Sequence, residues 1–513
     1  MALVIAGRIV PMSNTDPSAV FAGRIYLGDD GFVEAVTAGN TAAPAGFTNA
    51  PIVDTGDAFV IPGLIDLHNH LGYNALPLWV EPTQKKPFLH HNDWPTKPSY
   101  KPDISWPAWI LAKADPDAML AYVQARALVG GTTAIQGWPA FNRPPQMVLR
   151  DIDDEEAGTT NRNLVYTSVI TETPLQLART AQLMSRGAGF IYHCSEGQPG
   201  SVVAREFTDV ANAGCLEKKL VAIHCNAVAD SDWQRWQASE AGAVVWSPFS
   251  NLWLYGSTTN IPAARKQGVS ICLGSDWGPS GTKHVLGEVK VAKLVSQKLG
   301  FGLSDQDLVA MLTSNPGDIL SRCWSRQIGR LVQGSLGDVT VLKPRGNGDV
   351  WSQIVNATER EVMLVVVAGK PRYGDSSAMT AAGASPAATL TISGRQRKLA
   401  IPDPKDSTKA FQWTDIVSRL TTVRKDPAAA LKNAEARSRA FAGSGSAPDA
   451  PLELALDMPS GDAMAFAGPP PEPAKVVIPT LPTLVHDEAF FADIKGHGFH
   501  NGLLDGLANF YKG

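Results

Sequence analysis

Four histidines and two carboxylates stand at or just past the ends of short apolar runs. His68 and His70 close PGLIDLHNH, His193 and Glu196 lie in GFIYHCSEG, His224 ends LVAIH, and Asp276 follows SICLGS. Side chains alternate faces along an extended strand, so His68 and His70 point the same way. Two imidazoles on one face at a strand end can hold one metal ion. Imidazole and carboxylate donors together suit zinc or ferrous iron, and such an ion lowers the pKa of bound water towards neutrality. Each piece also has a plain structural reading: an HxH pair in a polar network, or a loop glutamate. Only a fold that gathers them makes them a site.

The elements that must do the gathering are short strands. Apolar segments at 61–68, 132–137, 163–170, 188–194, 220–224, 243–246 and 269–275 alternate with helix-length stretches, the pattern of βα units and a parallel sheet. An eighth strand, needed for a (β/α)8 TIM-like barrel, is expected between 137 and 190. In such a barrel the C-terminal strand ends share one rim, which carries the active site. That rim would collect His68, His70, His193, His224 and Asp276 from four strands. The first 60 residues alternate like antiparallel β, and 328–343 and 361–371 read as strands again. The expected architecture is therefore α/β. A small β-sandwich domain comes from 1–60 and 328–375, and a barrel from 61–327. A C-terminal extension of unassigned role covers 376–513, with a Pro/Gly/Ala-rich linker at 442–482. Asp426-Pro427 is expected to start a helix. Residues 483–512 carry enough Phe, Leu and Ile to dock. HGFH at 497–500 reads as solvated tail, and removal of 442–513 is expected to leave the barrel folded.

Composition narrows the function classes. The 513 residues are 44% hydrophobic and 18% charged with a net charge of −4, so a nucleic-acid or membrane-surface footprint is not expected. The apolar run at 361–369 is strand-sized, and MALVIAGRIVPM is too short and broken for a signal peptide. Five cysteines with no CxxC pair read as free thiols of a cytoplasmic protein.

In order, PGLIDLHNH, HCSE, HC and GSDW resemble the amidohydrolase superfamily of metal-dependent hydrolases, over about residues 1–375. WSPFSNLWLYG at 246–256 resembles its deaminase branch, which holds guanine, cytosine and S-adenosylhomocysteine deaminases and triazine hydrolases. GRLVQGSLGDVTVL resembles that superfamily's return to the β domain. The resemblance implies that His68, His70, His193 and Asp276 hold one divalent metal, zinc first, with iron or manganese as alternatives. It implies that Glu196 is the proton shuttle and that His224 contacts substrate or the attacking water. Asp276 can take a proton from that water and Glu196 can pass one to a departing nitrogen. Binuclear relatives often use a carboxylated lysine, but no lysine lies between Lys113 and Lys218, which favours one metal. Glu172 reads as a helix-start residue rather than a bridge. The implied reaction is deamination of an amino-substituted heterocycle through metal-bound hydroxide. The alternatives are amide, lactam, urea or carbamate hydrolysis and, more distantly, a non-catalytic scaffold.

Two features depart from that pattern. Asn69 sits between the histidines, with its side chain expected to face outward. The segment 71–115 is long and aromatic, and eight of the thirteen tryptophans (Trp79, Trp94, Trp106, Trp109, Trp138, Trp246, Trp253, Trp277) fall in it or just after expected strands. Aromatic walls suit flat substrates. Trp79, Trp94, Trp138, Ser250, Asn251 and Trp277 are the expected substrate contacts, and His90-His91 is expected to be exposed loop polarity. The expected partner is a small aromatic or heterocyclic molecule, with the protein a homo-oligomer.

Overall fold

A computed structural model describes residues 2–39, 41–137, 146–153, 165–168, 171–442 and 469–512. Trp138 and residues 443–468 of the expected linker lie outside them.

Four strands open the chain: β1 Leu3–Ile9, β2 Phe21–Leu27, β3 Val33–Ala38 and β4 Ile52–Pro62. Eight short strands follow: β5 Leu64–Asp66, β6 Thr132–Ile135, β7 Arg150–Asp151, β8 Val165–Ser168, β9 Gly189–Cys194, β10 Leu220–His224, β11 Ala243–Trp246 and β12 Ser270–Leu273. Every pairing among these eight is parallel, in two sheets, β5-β6-β7 and β8 through β12. The strand not located from sequence is β7, two residues long. Arg-Asp offers no apolar run to detect, and Arg150 is buried against Asp338.

Between β12 and β5 the contacts run through the segments beyond the strands. Asp276 N donates to His68 O at 3.0 Å, and Ser275 N to the Asp66 carboxylate at 2.9 Å. A Cβ on Gly274 would lie 2.4 Å from the His68 Cβ, so only glycine lets the two segments come this close.

Five more strands follow: β13 Val339–Leu342, β14 Val362–Val367, β15 Lys370–Asp375, β16 Ala388–Ile392 and β17 Arg395–Leu399. They join β1–β4 in one nine-stranded sheet, ordered β16-β17-β15-β14-β13-β4-β1-β2-β3. Both flanks of the parallel strands thus pair, and the sheet runs on past residue 375 to Leu399. Alternation divides its side chains between two cores: Val60 and Val341 enter one, Phe59, Ile61 and Leu342 the other.

The C-terminal part is seated on the α/β part. A helix starts at Pro427, and Asp426 Oδ1 accepts from Ala429 N at 3.0 Å. The helix before it, Trp413–Lys425, packs on Pro116–Val129. There Tyr122 stacks on Trp413 with centroids 5.7 Å apart, and Arg419 forks onto Asp115 at 2.8 and 2.6 Å. Residues 469–512 cover the helix Pro248–Tyr255: Phe490 stacks on Phe249 at 5.4 Å and His497 on Trp253 at 3.8 Å. His497 and His500 are buried, which corrects the solvated-tail reading. Two aromatic rings of the helix needed a cover that no local pattern in HGFH advertises.

The expectation that 442–513 is dispensable changes with it. Truncation after residue 468 uncovers Phe249 and Trp253 and strips Lys283 of its acceptor Thr483 O, 2.8 Å away. We expect a loss on the order of 3 kcal/mol or more, read as a lower denaturation midpoint. Equal midpoints for truncated and full chains would restore the dispensable tail.

Candidate functional site

The ends of β5, β9, β10 and β12 bring the sequence-selected residues together. The ring centroids of His70, His193 and His224 lie 5.0, 4.7 and 5.0 Å from that of His68. Asp276 Oδ1 is 3.2 Å from His68 Nε2 and 3.5 Å from His70 Nε2. Donor atoms fall into two overlapping groups, His68/His193/His224 and His68/His70/Asp276, each within 4.8 Å. All five residues are buried. His224 thus shares a donor group with His68 and His193, although it was not among the expected ligands.

Hydrogen bonds around the rings prepare the nitrogens for a metal. Gln136 Oε1 accepts from Asn69 N at 3.1 Å and lies 3.1 Å from His68 Nδ1. An acceptor there puts the proton on Nδ1 and leaves Nε2 a lone pair. Asn251 does the same for His224, with Oδ1 2.8 Å from Nδ1, while its Nδ2 donates to Thr259 Oγ1 at 3.3 Å. The expected substrate contact Asn251 thus spends its carbonyl oxygen on orienting His224. Ser250 is buried with its hydroxyl 3.2 Å from that of Ser280.

Backbone conformation completes the arrangement. His224 (φ +66°) and Asp276 (φ +58°) are both left-handed, a placement that costs on the order of 1 kcal/mol each. The Asn69 amide restrains one of them, donating to Asp276 O at 2.7 Å and to Asp66 Oδ2 at 3.2 Å. Asn69 is fully buried, with its amide spent on the Asp66 and Asp276 segments. β5 ends at Asp66, and residue 69 has left the strand's alternation.

Electrostatics follow from burial and neighbours. Burial alone would raise the Asp276 carboxyl, but His68, then His224 and His70, hold it well below the usual range. Glu196 is also buried, yet His224 and His91 keep it below its ordinary value. Burial, with His68 beside it, lowers His224. Behind the site Glu288 is pushed up to about 8 by burial, although Thr282 and Phe249 N bond to it. A folded pKa above the unfolded value means the folded state binds the extra proton. That stability is complete below about pH 4 and is lost as pH rises through about 8. We expect Glu288→Gln to flatten the pH dependence of the denaturation midpoint between pH 5 and 9. A variant tracking the wild type across that range would contradict the buried acid.

Above the histidines lies an aromatic wall. Trp277 lies 5.2 Å from Trp94, 5.5 Å from Tyr73 and 6.1 Å from the His70 ring. Trp94 Nε1 donates to Tyr255 Oη at 3.0 Å, and that hydroxyl donates to Glu196 Oε1 at 2.6 Å. Trp79 instead stacks on Phe88 at 5.9 Å and bonds Ser99 at 2.9 Å, inside the insertion's own core. His91 is buried and reaches Glu196, correcting its reading as exposed loop polarity. Glu172 stands just before the capping box at Thr173, with its N–H bonded to Tyr192 Oη at 3.1 Å. Sequence reasoning passed over Gln136, Glu206 and Tyr255 and read His91 as loop polarity. Gln136 and Tyr255 lay in stretches already singled out, the expected strand 132–137 and WSPFSNLWLYG.

Parallel strands here carry imidazole and carboxylate donors at one end, close enough together to hold a metal ion. No family model matches the chain. It is 23% identical over 424 residues to a 5-methylthioadenosine/S-adenosylhomocysteine deaminase of Symbiobacterium thermophilum, covering 73% of this chain and 93% of the relative. Among solved structures it is similar to an adenosine deaminase of Xanthomonas campestris with bound zinc (TM-score 0.54, 18% identity, 72% of this chain and 92% of that one). A triazine hydrolase variant shares the fold at TM-score 0.58 and 15% identity, over 82% of this chain and 99% of that one. These likenesses fit the resemblance of the ordered motifs to the amidohydrolase superfamily.

Proposed function

We propose that this protein is a metal-dependent deaminase of an amino-substituted heterocycle, with one metal ion at the His/Asp cluster. The observation that carries the reading is the Glu196 carboxylate, buried beside that cluster with Oε1 3.5 Å from His224 Nε2. The donor set fits the ion: His68, His70, His193 and Asp276 would hold it, with His224 at its edge. Zinc is the first choice for such nitrogen and oxygen donors, and it would supply Lewis-acid activation of water. Asp276, held ionised, accepts a proton from the attacking water. Glu196 carries a proton to the substrate nitrogen, so that C–NH2 and H2O become C=O and NH3. Trp94 and Trp277 flank the flat ring, and the buried wall excludes bulk water.

We also read β5–β12 as the eight strands of one (β/α)8 barrel, joined between β12 and β5 through the Asp276–His68 backbone bond. The barrel spans 61–327. The flanks 1–60 and 328–375 form the small β domain, which β16 and β17 extend, and 376–513 is the extension. Among the described residues no helix is long and apolar enough to cross a membrane.

The test is ammonia release by zinc-loaded protein from 5-methylthioadenosine, S-adenosylhomocysteine, 5′-deoxyadenosine and guanine. Release from any of them supports deamination. A metal-replete protein that instead frees a larger amine or opens a ring is an amide or lactam hydrolase.

A further inference from the structure

His91 arrives at the site on the 71–115 insertion and faces a carboxylate on each side. Its Nδ1 is 3.4 Å from Glu196 Oε2, and its Nε2 is 3.1 Å from Glu206 Oε1. A neutral imidazole has one N–H and one lone pair, and would turn that lone pair onto a carboxylate oxygen. The Nε2 contact is a hydrogen bond, while Nδ1 makes none and faces Glu196 at ion-pair distance, so the imidazolium is the form that suits a carboxylate on each side. The charge balance agrees: burial disfavours the cation, but Glu206 and Glu196 push His91 up to about 10.

The backbone fixes the ring in place. His91 N donates to Glu196 O at 3.1 Å, and Gln198 N donates to Leu89 O at 2.7 Å. A Cβ on Gly197 would meet Leu89 O at 2.6 Å, so the insertion lies directly on the loop that carries Glu196. Glu206 secures the same loop from the other side, accepting from Ser195 N at 2.7 Å, and also takes the Thr171 hydroxyl. The other titratable groups are Tyr255, His224 and Asp276 facing Glu196, and Tyr192, Glu172 and Cys225 near Glu206.

We propose that His91 is the positioning residue for Glu196. Held by Glu206 through Nε2, its ring sets a positive charge 3.4 Å from one carboxylate oxygen while the Tyr255 hydroxyl bonds the other. A glutamate has three rotatable side-chain bonds, and this double hold leaves it one orientation, towards the metal cluster. The insertion is therefore a part of the catalytic apparatus, because seating it sets the proton carrier. This role rests on the reading of Glu196 as that carrier.

The test is nitrogen NMR of histidine-labelled, zinc-loaded protein. At pH 8.5 the wild type should show one ring with both nitrogens protonated. That signal should be absent from His91→Asn, and Glu206→Gln should make it deprotonate at lower pH. No such ring in the wild type, or one that persists in His91→Asn, overturns the clamp. Glu206→Gln leaves His91 and Glu196 in place and decides the matter if His91→Asn does not fold. On whichever panel compound releases ammonia, His91→Asn should keep full metal and KM within about twofold while kcat falls about tenfold or more. Wild-type kcat beside an inactive Glu196→Gln removes the positioning role alone. A fully active Glu196→Gln removes Glu196 as carrier, and the role with it, whatever the ring signal. If no panel compound is turned over, the ring signal decides.

Discussion

Asp276→Ala should purify with less than about a tenth of an equivalent of metal and with turnover below detection. Among the described residues, Asp276 is the only carboxylate in the donor groups of the site. Removing it leaves neutral imidazoles to hold a dication in a buried space, without the charge that compensates the ion's lost hydration. The protein should remain folded, because the strands around the site pair through backbone bonds that the side chain does not make. Elemental analysis beside a denaturation curve checks both halves. Full metal content in a folded, active variant would sink the ligand assignment. His68→Ala should behave alike, since His68 belongs to both donor groups.

Glu196→Gln should give the opposite combination. Glu196 stands outside both donor groups, so the metal should stay at about one equivalent. Gln is nearly isosteric and can still accept from Tyr255, but it cannot carry a proton. The expected fall in kcat is about 10²–10⁴-fold, the range for loss of a positioned acid–base group. KM should move little, because the lost interaction belongs to the transition state. A rate within threefold of wild type would take Glu196 out of the mechanism.

How much of this was legible beforehand differs residue by residue. The metal-site candidates could be read because each sits at or just past the end of an apolar run, where the fold exposes a side chain at one rim. His68, His193, His224 and Asp276 needed only strand order to be brought together. β7 could not be read, because Arg150 is buried by pairing with Asp338, a partner 188 residues away. His91 was noticed only as half of a His90-His91 pair, which by itself read as loop polarity. Its meaning comes from Glu196 and Glu206, both more than 100 residues further on, and from a backbone contact at Gly197. The covering of Trp253 by His497 is of the same kind. Local pattern exposes positions set by periodicity, and it is silent on those set by a distant partner.

The seating of residues 490–500 on the helix Pro248–Tyr255 bears on the order of events during synthesis. The helix carries Asn251, which orients His224, and Tyr255, which holds Glu196. Its cover over Phe249 is made about 240 residues later, Phe490 against Phe249. At ribosomal speeds of roughly 5–20 residues per second, that is on the order of 10–50 s. From Asp276 onward, for most of that interval, the nascent chain has all the proposed metal-site residues but exposes a face of Phe249 and Trp253. Metal acquisition and the covering of that face are thus separated in time, and a chaperone that recognises aromatic surface would meet this helix before the enzyme is complete.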